Sequence, residues 1–307
     1  MIHRPGPGRR GVTVGAALAA ALLGLAEPAA RTQAGASPDD LGHAIEAFLS
    51  PYVTAGNFSG TVLVARGEEL LGEAAFGVAD SERSVPARPA DGYGIGSVSK
   101  SFTAAAVLRL VEQGRVKPDD PVAAHLPEFP FESPVTVRQL LEHRSGLPNL
   151  FFLPDYADLA ARPYDRPSDV VELARTQPVS EPGAGYAYNN LNYTVLAWLV
   201  EEVSGHSFAS YLDTELFRPL DLTGAGLLGS NAEPMAGVAR GHDPVGVDGL
   251  QGERPTDRSI LVGAGSMYAT ALDLWKWLDG LAGRAILASL PDSVVFEYVG
   301  RRENVRD

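Results

Sequence analysis

Past its first few dozen residues, the chain carries most of its apolar positions at helical spacing, with two β-like runs near the start. Leu41, Ile45, Ala47 and Phe48 line one face of a helix over Asp39 to Leu49, which Pro38 and Asp39 can start. Phe58 to Ala65 is rich in Val and Thr and reads as a strand, as does Leu70 to Val78. With Arg66-Gly67-Glu68 as the turn, the two form a hairpin. From Ser97 the pattern becomes helical. Ser101 to Glu112 carries Phe102, Ala105, Val107, Leu108 and Val111 and stops at Gly114. Further helices are predicted over 135–143, 168–176, 190–203 and 208–216. The fourth of the six, 190–203, carries Leu191, Val195, Leu196, Trp198, Leu199 and Val203, and Gly205 ends it. A sixth runs over 271–281, where Thr270 and Asp273 resemble a capping pair. Pro and Gly punctuate the connections, as surface loops require. Val294 to Val299 is assigned to a possible strand.

Composition narrows this picture. The 307 residues suffice for one large domain or two interleaved ones, and 45% hydrophobic with 21% charged residues fits a folded globular chain. The net charge is -13. Arg4, Arg9, Arg10 and Arg31 stand against Glu27 in the first 36 residues, so the remainder carries about -16. That balance argues against nucleic acid and against an anionic membrane surface as partners. Arg4, Arg9 and Arg10, the apolar stretch Gly11 to Leu25 and Ala34-Gly35-Ala36 read as a cleaved signal peptide over residues 1–36. The apolar run is shorter than the roughly 20 residues a membrane span needs, so no stable insertion is expected after cleavage. A secreted or periplasmic protein follows. The absence of cysteine excludes disulfides and thiol catalysis.

Candidate chemistry centres on Ser97-Val98-Ser99-Lys100. A serine and a lysine three positions apart share one helix face, where the amine can take the hydroxyl proton. The chain has only three lysines, Lys100, Lys117 and Lys276, so a chance match of this kind is expected in roughly one such sequence in five. The bland alternative is a solvated lysine. The apolar residues that follow argue instead for a partly buried amine with a lowered pKa. Gly94 and Gly96 suit a tight approach of backbone to the serine, and Ser99 and Ser101 read as helix-start polar residues. Tyr188-Asn189-Asn190 precedes an apolar helix. Alone it is an ordinary capping triplet; beside a Ser-Lys helix it is a candidate acid–base group. No Gly-x-Ser-x-Gly elbow, metal-ligand spacing or phosphate loop occurs, so neither cofactor nor metal is expected.

With these motifs the chain resembles the class C beta-lactamase and D-alanyl-D-alanine carboxypeptidase family, which includes penicillin-binding proteins and esterases. The similarity runs from about Gly60 to Leu281. It includes Gly96 to Lys100, Leu140 to Pro148, Glu181-Pro182-Gly183, Tyr188-Asn189-Asn190, Ser204-Gly205, Pro219-Leu220 and Gly263-Ala264-Gly265 leading to Thr270 and Asp273. The resemblance implies an α/β fold of the beta-lactamase/transpeptidase-like type: an antiparallel sheet with flanking helices plus an inserted all-helical domain, about 97–255, within a domain spanning 37–307. It implies that Ser97 is acylated, that Lys100 takes its proton directly or through Tyr188, that Tyr188 serves the leaving group, and that Asn190 orients Lys100 and substrate. The Ser97 N–H would supply half of an oxyanion hole. His143 would shape a turn. The substrate would be a beta-lactam, a peptide ending in D-Ala-D-Ala, or a small ester.

The chain departs from the family in a minor respect, Arg144 where Thr is commoner, and in a serious one. Members carry a third motif, Lys-Thr-Gly or His-x-Gly, on a strand after the Thr270 helix, and this strand gives the second oxyanion donor. Residues 282–307 contain neither sequence. The C-terminal strands are therefore expected to be largely missing, as in a truncated or altered relative, and losing one oxyanion donor costs roughly a hundred- to a thousand-fold. The alternative to a serine hydrolase is an inactive relative acting at most as a binding protein.

Overall fold

A computed structural model describes residues 38–229, 235–245, 249–252 and 257–299. The expected signal peptide, 1–36, lies outside the described residues.

Helix α1 (Pro38–Thr54) leads into the hairpin β1 (Gly60–Arg66) and β2 (Glu69–Phe76), paired antiparallel from Gly60 with Phe76 to Arg66 with Glu69. The second strand ends short of Val78 because Gly77 takes φ 71°, and a Cβ there would sit 2.3 Å from Ser59 Oγ and 2.9 Å from Phe58 O. The chain restarts as β3 (Val78–Asp80), which pairs with β4 (Val85–Pro86). Next comes β5 (Tyr93–Gly94), then a single 3₁₀ turn, Gly96–Val98, that opens into α2 (Ser99–Glu112).

The helical middle comprises α3 (Val137–Leu141), α4 (Tyr156–Ala160), α5 (Pro167–Glu172), α6 (Asn190–Ser204) and α7 (Phe208–Leu212). α3 and α5 are shorter than their apolar patterns suggest. α3 begins at a Thr136–Gln139 capping box, and after α5 the bonds at Leu173 and Ala174 run to residues three back, which tightens the chain into turns. α7 continues as a π-helical turn, 213–217, so the helical run predicted there is one helix with a change of pitch. Within the span expected to be all-helical lie β6 (Gly226–Leu227) and the hairpin β7 (His242–Val245) with β8 (Gly249–Gly252). β9 (Met267–Ala269) pairs antiparallel with β5 on one side and β6 on the other. α8 (Ala271–Ala282) starts at the Thr270–Asp273 capping box. The last described element is α9 (Asp292–Tyr298). A strand was expected there; instead Pro291 and Asp292 start a helix, and Val295 and Tyr298, three apart, are both buried.

Two helices organise the core. α2 is buried from Phe102 to Leu108, and α6 from Asn190 to Val200, so each is enclosed on all sides rather than along one stripe. Phe102 stacks on Trp277 of α8 at 4.0 Å and meets Phe217 edge-on at 6.1 Å. Polar side chains on α6 are paired rather than solvated. Asn192 accepts from Ser145 Oγ at 2.6 Å and donates to Leu140 O, and Tyr193 OH donates to Leu141 O. α6 is therefore the strut against which the 140–145 turn is fixed. Among the described residues no helix is long and apolar enough to cross a membrane.

Candidate active site

Gly96 adopts φ 50°, a conformation that glycine reaches without steric cost, and this sets the 3₁₀ turn that carries Ser97. The space around Gly96 is open, so its conformational freedom, and not a close approach, is what the position uses. Ser97 is exposed, while Lys100, one turn on, is 7% exposed. Ser99 is buried between them, and its Oγ accepts from Met267 N at 3.2 Å, tying β9 to the head of α2. Ser101 Oγ donates to Val98 O and accepts from Trp277 Nε1.

Residues 188–190 divide their side chains among three tasks. Tyr188 OH donates to Ser97 Oγ at 2.8 Å. Asn189 caps α6 through Leu191 N and donates to the carbonyls of Leu147 and Pro148. Asn190 Oδ1 accepts from Lys100 Nζ at 2.7 Å. The structure thus brings Ser97, Lys100, Tyr188 and Asn190 together, although 90 residues of chain separate Lys100 from Asn190.

Among the described residues Lys100 Nζ donates to Asn190 Oδ1 and Ala264 O, both at 2.7 Å, and to Ser97 Oγ at 3.3 Å. The first two are carbonyl oxygens, which accept only. An ammonium can donate to all three. A neutral amine has two N–H bonds, which the two short contacts take, and its lone pair then faces Ser97 Oγ. Burial lowers the Lys100 pKa from 10.5 to about 8, which brings the neutral form within reach near neutral pH.

Ala264 is a contributor that the motifs did not reveal, because its contact is made by a backbone carbonyl. Its segment is held by a row of donors. Thr194 Oγ1 donates to Val262 O at 3.1 Å, Thr103 Oγ1 to Gly263 O at 2.6 Å, and Lys100 to Ala264 O. Gly263 has φ 75°, and a Cβ there would lie 2.3 Å from Tyr193 O. The only sequence signal for this clamp is Gly263-Ala264-Gly265.

The fold now has known relatives. A Beta-lactamase family model matches residues 45–301. The chain belongs to the beta-lactamase family. Its architecture is beta-lactamase/transpeptidase-like, as the resemblance implied. PbpX of Bacillus subtilis (strain 168) is 30% identical over 234 residues, which cover 76% of this chain and 57% of that protein, so the chain spans little over half of its relative. The crystal structure of a penicillin binding protein from Bacillus halodurans superposes with a TM-score of 0.70 at 26% identity, covering 84% of this chain and 79% of that one. A D-amino acid amidase from Ochrobactrum anthropi SV3, crystallised with L-phenylalanine amide, gives 0.70 at 27% identity, covering 84% and 74%.

Proposed function

We propose that this beta-lactamase-family protein is an exported serine hydrolase that cleaves an amide or ester through an acyl-enzyme on Ser97. The observation that carries this is the pairing at Ser97 Oγ, with Tyr188 OH at 2.8 Å and Lys100 Nζ at 3.3 Å. The neutral Lys100 amine takes the Ser97 proton as Oγ bonds to the substrate carbonyl carbon, whose π electrons move to its oxygen. As the tetrahedral adduct collapses, Tyr188 gives its proton to the departing nitrogen or oxygen, and the Lys100 ammonium restores the phenol. The net transfer is one proton from Ser97 to the leaving group. Water attacks the ester by the reverse route and regenerates Ser97. Asn190 and the Ala264 carbonyl aim the amine throughout. The substrate is a small molecule or peptide: a beta-lactam, a D-Ala-D-Ala peptide or an ester. The relatives, a penicillin binding protein and a D-amino acid amidase by name, support the amide class. The reading includes export through cleavage near Ala36.

A second reading is a protein that binds such a substrate and does not turn it over. One experiment separates the two. The secreted protein is incubated with a penicillin and with a p-nitrophenyl ester and followed by intact mass and absorbance. A persistent adduct on Ser97, or ester turnover abolished by Ser97→Ala, supports the hydrolase. A folded sample showing neither supports the binding protein.

A further inference from the structure

His143 makes an unusual set of contacts for a turn residue. Its φ is 55°, in the left-handed region that non-glycine residues seldom occupy. Its carbonyl accepts from Ala187 N at 2.8 Å, and its ring Nδ1 accepts from Asn189 N at 3.1 Å. These two amides flank Tyr188 in sequence. The imidazole also packs on the Tyr188 ring at 4.5 Å between centroids, and Tyr188 is in turn 4.8 Å from Lys100 Nζ. One residue therefore grips Tyr188 from both sides of its backbone and along its ring.

The chemistry of the grip is specific. Because Nδ1 accepts an N–H, it carries no proton, and the neutral ring is protonated on Nε2. Burial, with Lys100 nearby, pushes the imidazole down to about 4, so it stays neutral where the site would work. Tyr188 is 45% exposed; besides His143, Asn149 Nδ2 donates to its carbonyl at 3.4 Å and the Lys100 amine lies over its ring. A small displacement of its oxygen would break a 2.8 Å bond.

We infer that His143 is a positioning residue for Tyr188, holding the phenol oxygen on Ser97 by accepting the backbone N–H groups of Ala187 and Asn189. This rests on the hydrolase reading above. It adds to that reading a residue that acts through Tyr188.

The test uses two replacements that split the contacts. Asparagine tolerates left-handed backbone and places Oδ1 close to the position of Nδ1, so His143→Asn keeps both acceptors and loses the ring. His143→Phe keeps a ring and loses the side-chain acceptor. With a p-nitrophenyl ester, His143→Phe is expected to lower kcat at least tenfold with KM within about twofold, and His143→Asn to recover to within about threefold of the wild type. Added to Tyr188→Phe, His143→Phe should cost less than twofold more, since its effect passes through a hydroxyl already gone. Full additivity, or equal rates for both single variants and the wild type, overturns the inference. Amide hydrogen exchange gives a readout independent of turnover. Asn189 N–H should exchange slowly in the wild type and in His143→Asn, and at least tenfold faster in His143→Phe. If the wild type turns over neither ester nor amide, the hydrolase reading fails. Exchange then decides the grip alone, and equal Asn189 rates in wild type and His143→Phe overturn it.

Discussion

As the base proposed for Ser97, the Lys100 amine sets a pH dependence that can be worked out in advance. Its pKa is lowered from 10.5 to about 8 by burial alone, so it is mostly charged at pH 7 and mostly neutral at pH 9. If the neutral amine is the base for Ser97, acylation follows the unprotonated fraction, which is about one part in eleven at pH 7 and about ten in eleven at pH 9. The rate constant for acylation by a p-nitrophenyl ester, measured by burst kinetics, should rise about tenfold between those values and level off above. The proton sites support this direction: two of the three Lys100 contacts are acceptor-only carbonyls, leaving the lone pair toward Ser97. An acylation rate that is flat or falling through pH 8 would refute the assignment of Lys100 as base. Lysine occurs only at 100, 117 and 276, so ¹³Cε-lysine NMR with Lys117→Arg and Lys276→Arg variants assigns the Lys100 titration directly. The midpoint it gives should coincide with the kinetic one.

Further outcomes follow from the same geometry. Tyr188→Phe removes the donor to Ser97 Oγ and should slow ester cleavage by about a hundred- to ten-thousand-fold, while its urea midpoint stays close to that of the wild type. Asn190→Asp places a carboxylate where an amide oxygen lies 2.7 Å from Nζ; it should raise the Lys100 pKa by about 1–3 units and move the kinetic limb up with it. Gly263→Ala forces a Cβ onto Tyr193 O at φ 75° and should destabilise the fold by on the order of 3 kcal/mol, read as a drop in Tm. Because Lys100 has a lowered pKa in the folded chain, the unfolded chain binds more protons between about pH 8 and 10.5, so its contribution to stability rises with pH across that window. Lys100→Met should lack that rise in paired urea titrations at pH 7.5 and 10.

Much of this arrangement was legible in the residues, for physical reasons that differ from one element to the next. α2 and α6 declare themselves because a buried helix must be apolar over many consecutive turns, and Phe102 to Leu108 and Leu191 to Val200 supply that run. Ser97 and Lys100 are readable because side chains three apart on a helical turn meet by geometry alone. The hairpin follows from its Val- and Thr-rich strand and a glycine turn, yet its second strand ends early because Gly77 has no room for a Cβ, a fact about Ser59 and Phe58 that no pattern contains. Val294 to Val299 misled because β-branched residues favour strands locally, whereas burial of Val295 and Tyr298 against the core decides the helix.

The least legible parts are those that act through backbone. Every residue has a carbonyl, so nothing marks Ala264 O as the atom that accepts a hydrogen bond from Lys100. Nothing in His-Arg-Ser-Gly marks the His143 carbonyl as one jaw of a grip on Tyr188. Yet in the hydrolase we propose these atoms decide the chemistry. Without Ala264 O, the amine would have only Asn190 as a fixed acceptor, and a neutral Nζ could turn its lone pair away from Ser97. Two short acceptors, supplied by segments 74 residues apart, leave a neutral amine one direction for its lone pair, and that direction is the hydroxyl. A Ser-x-x-Lys motif therefore marks where a nucleophile could be made, while the carbonyl row at 262–264, clamped by Thr194, Thr103 and Lys100, is what would aim the proposed base at it.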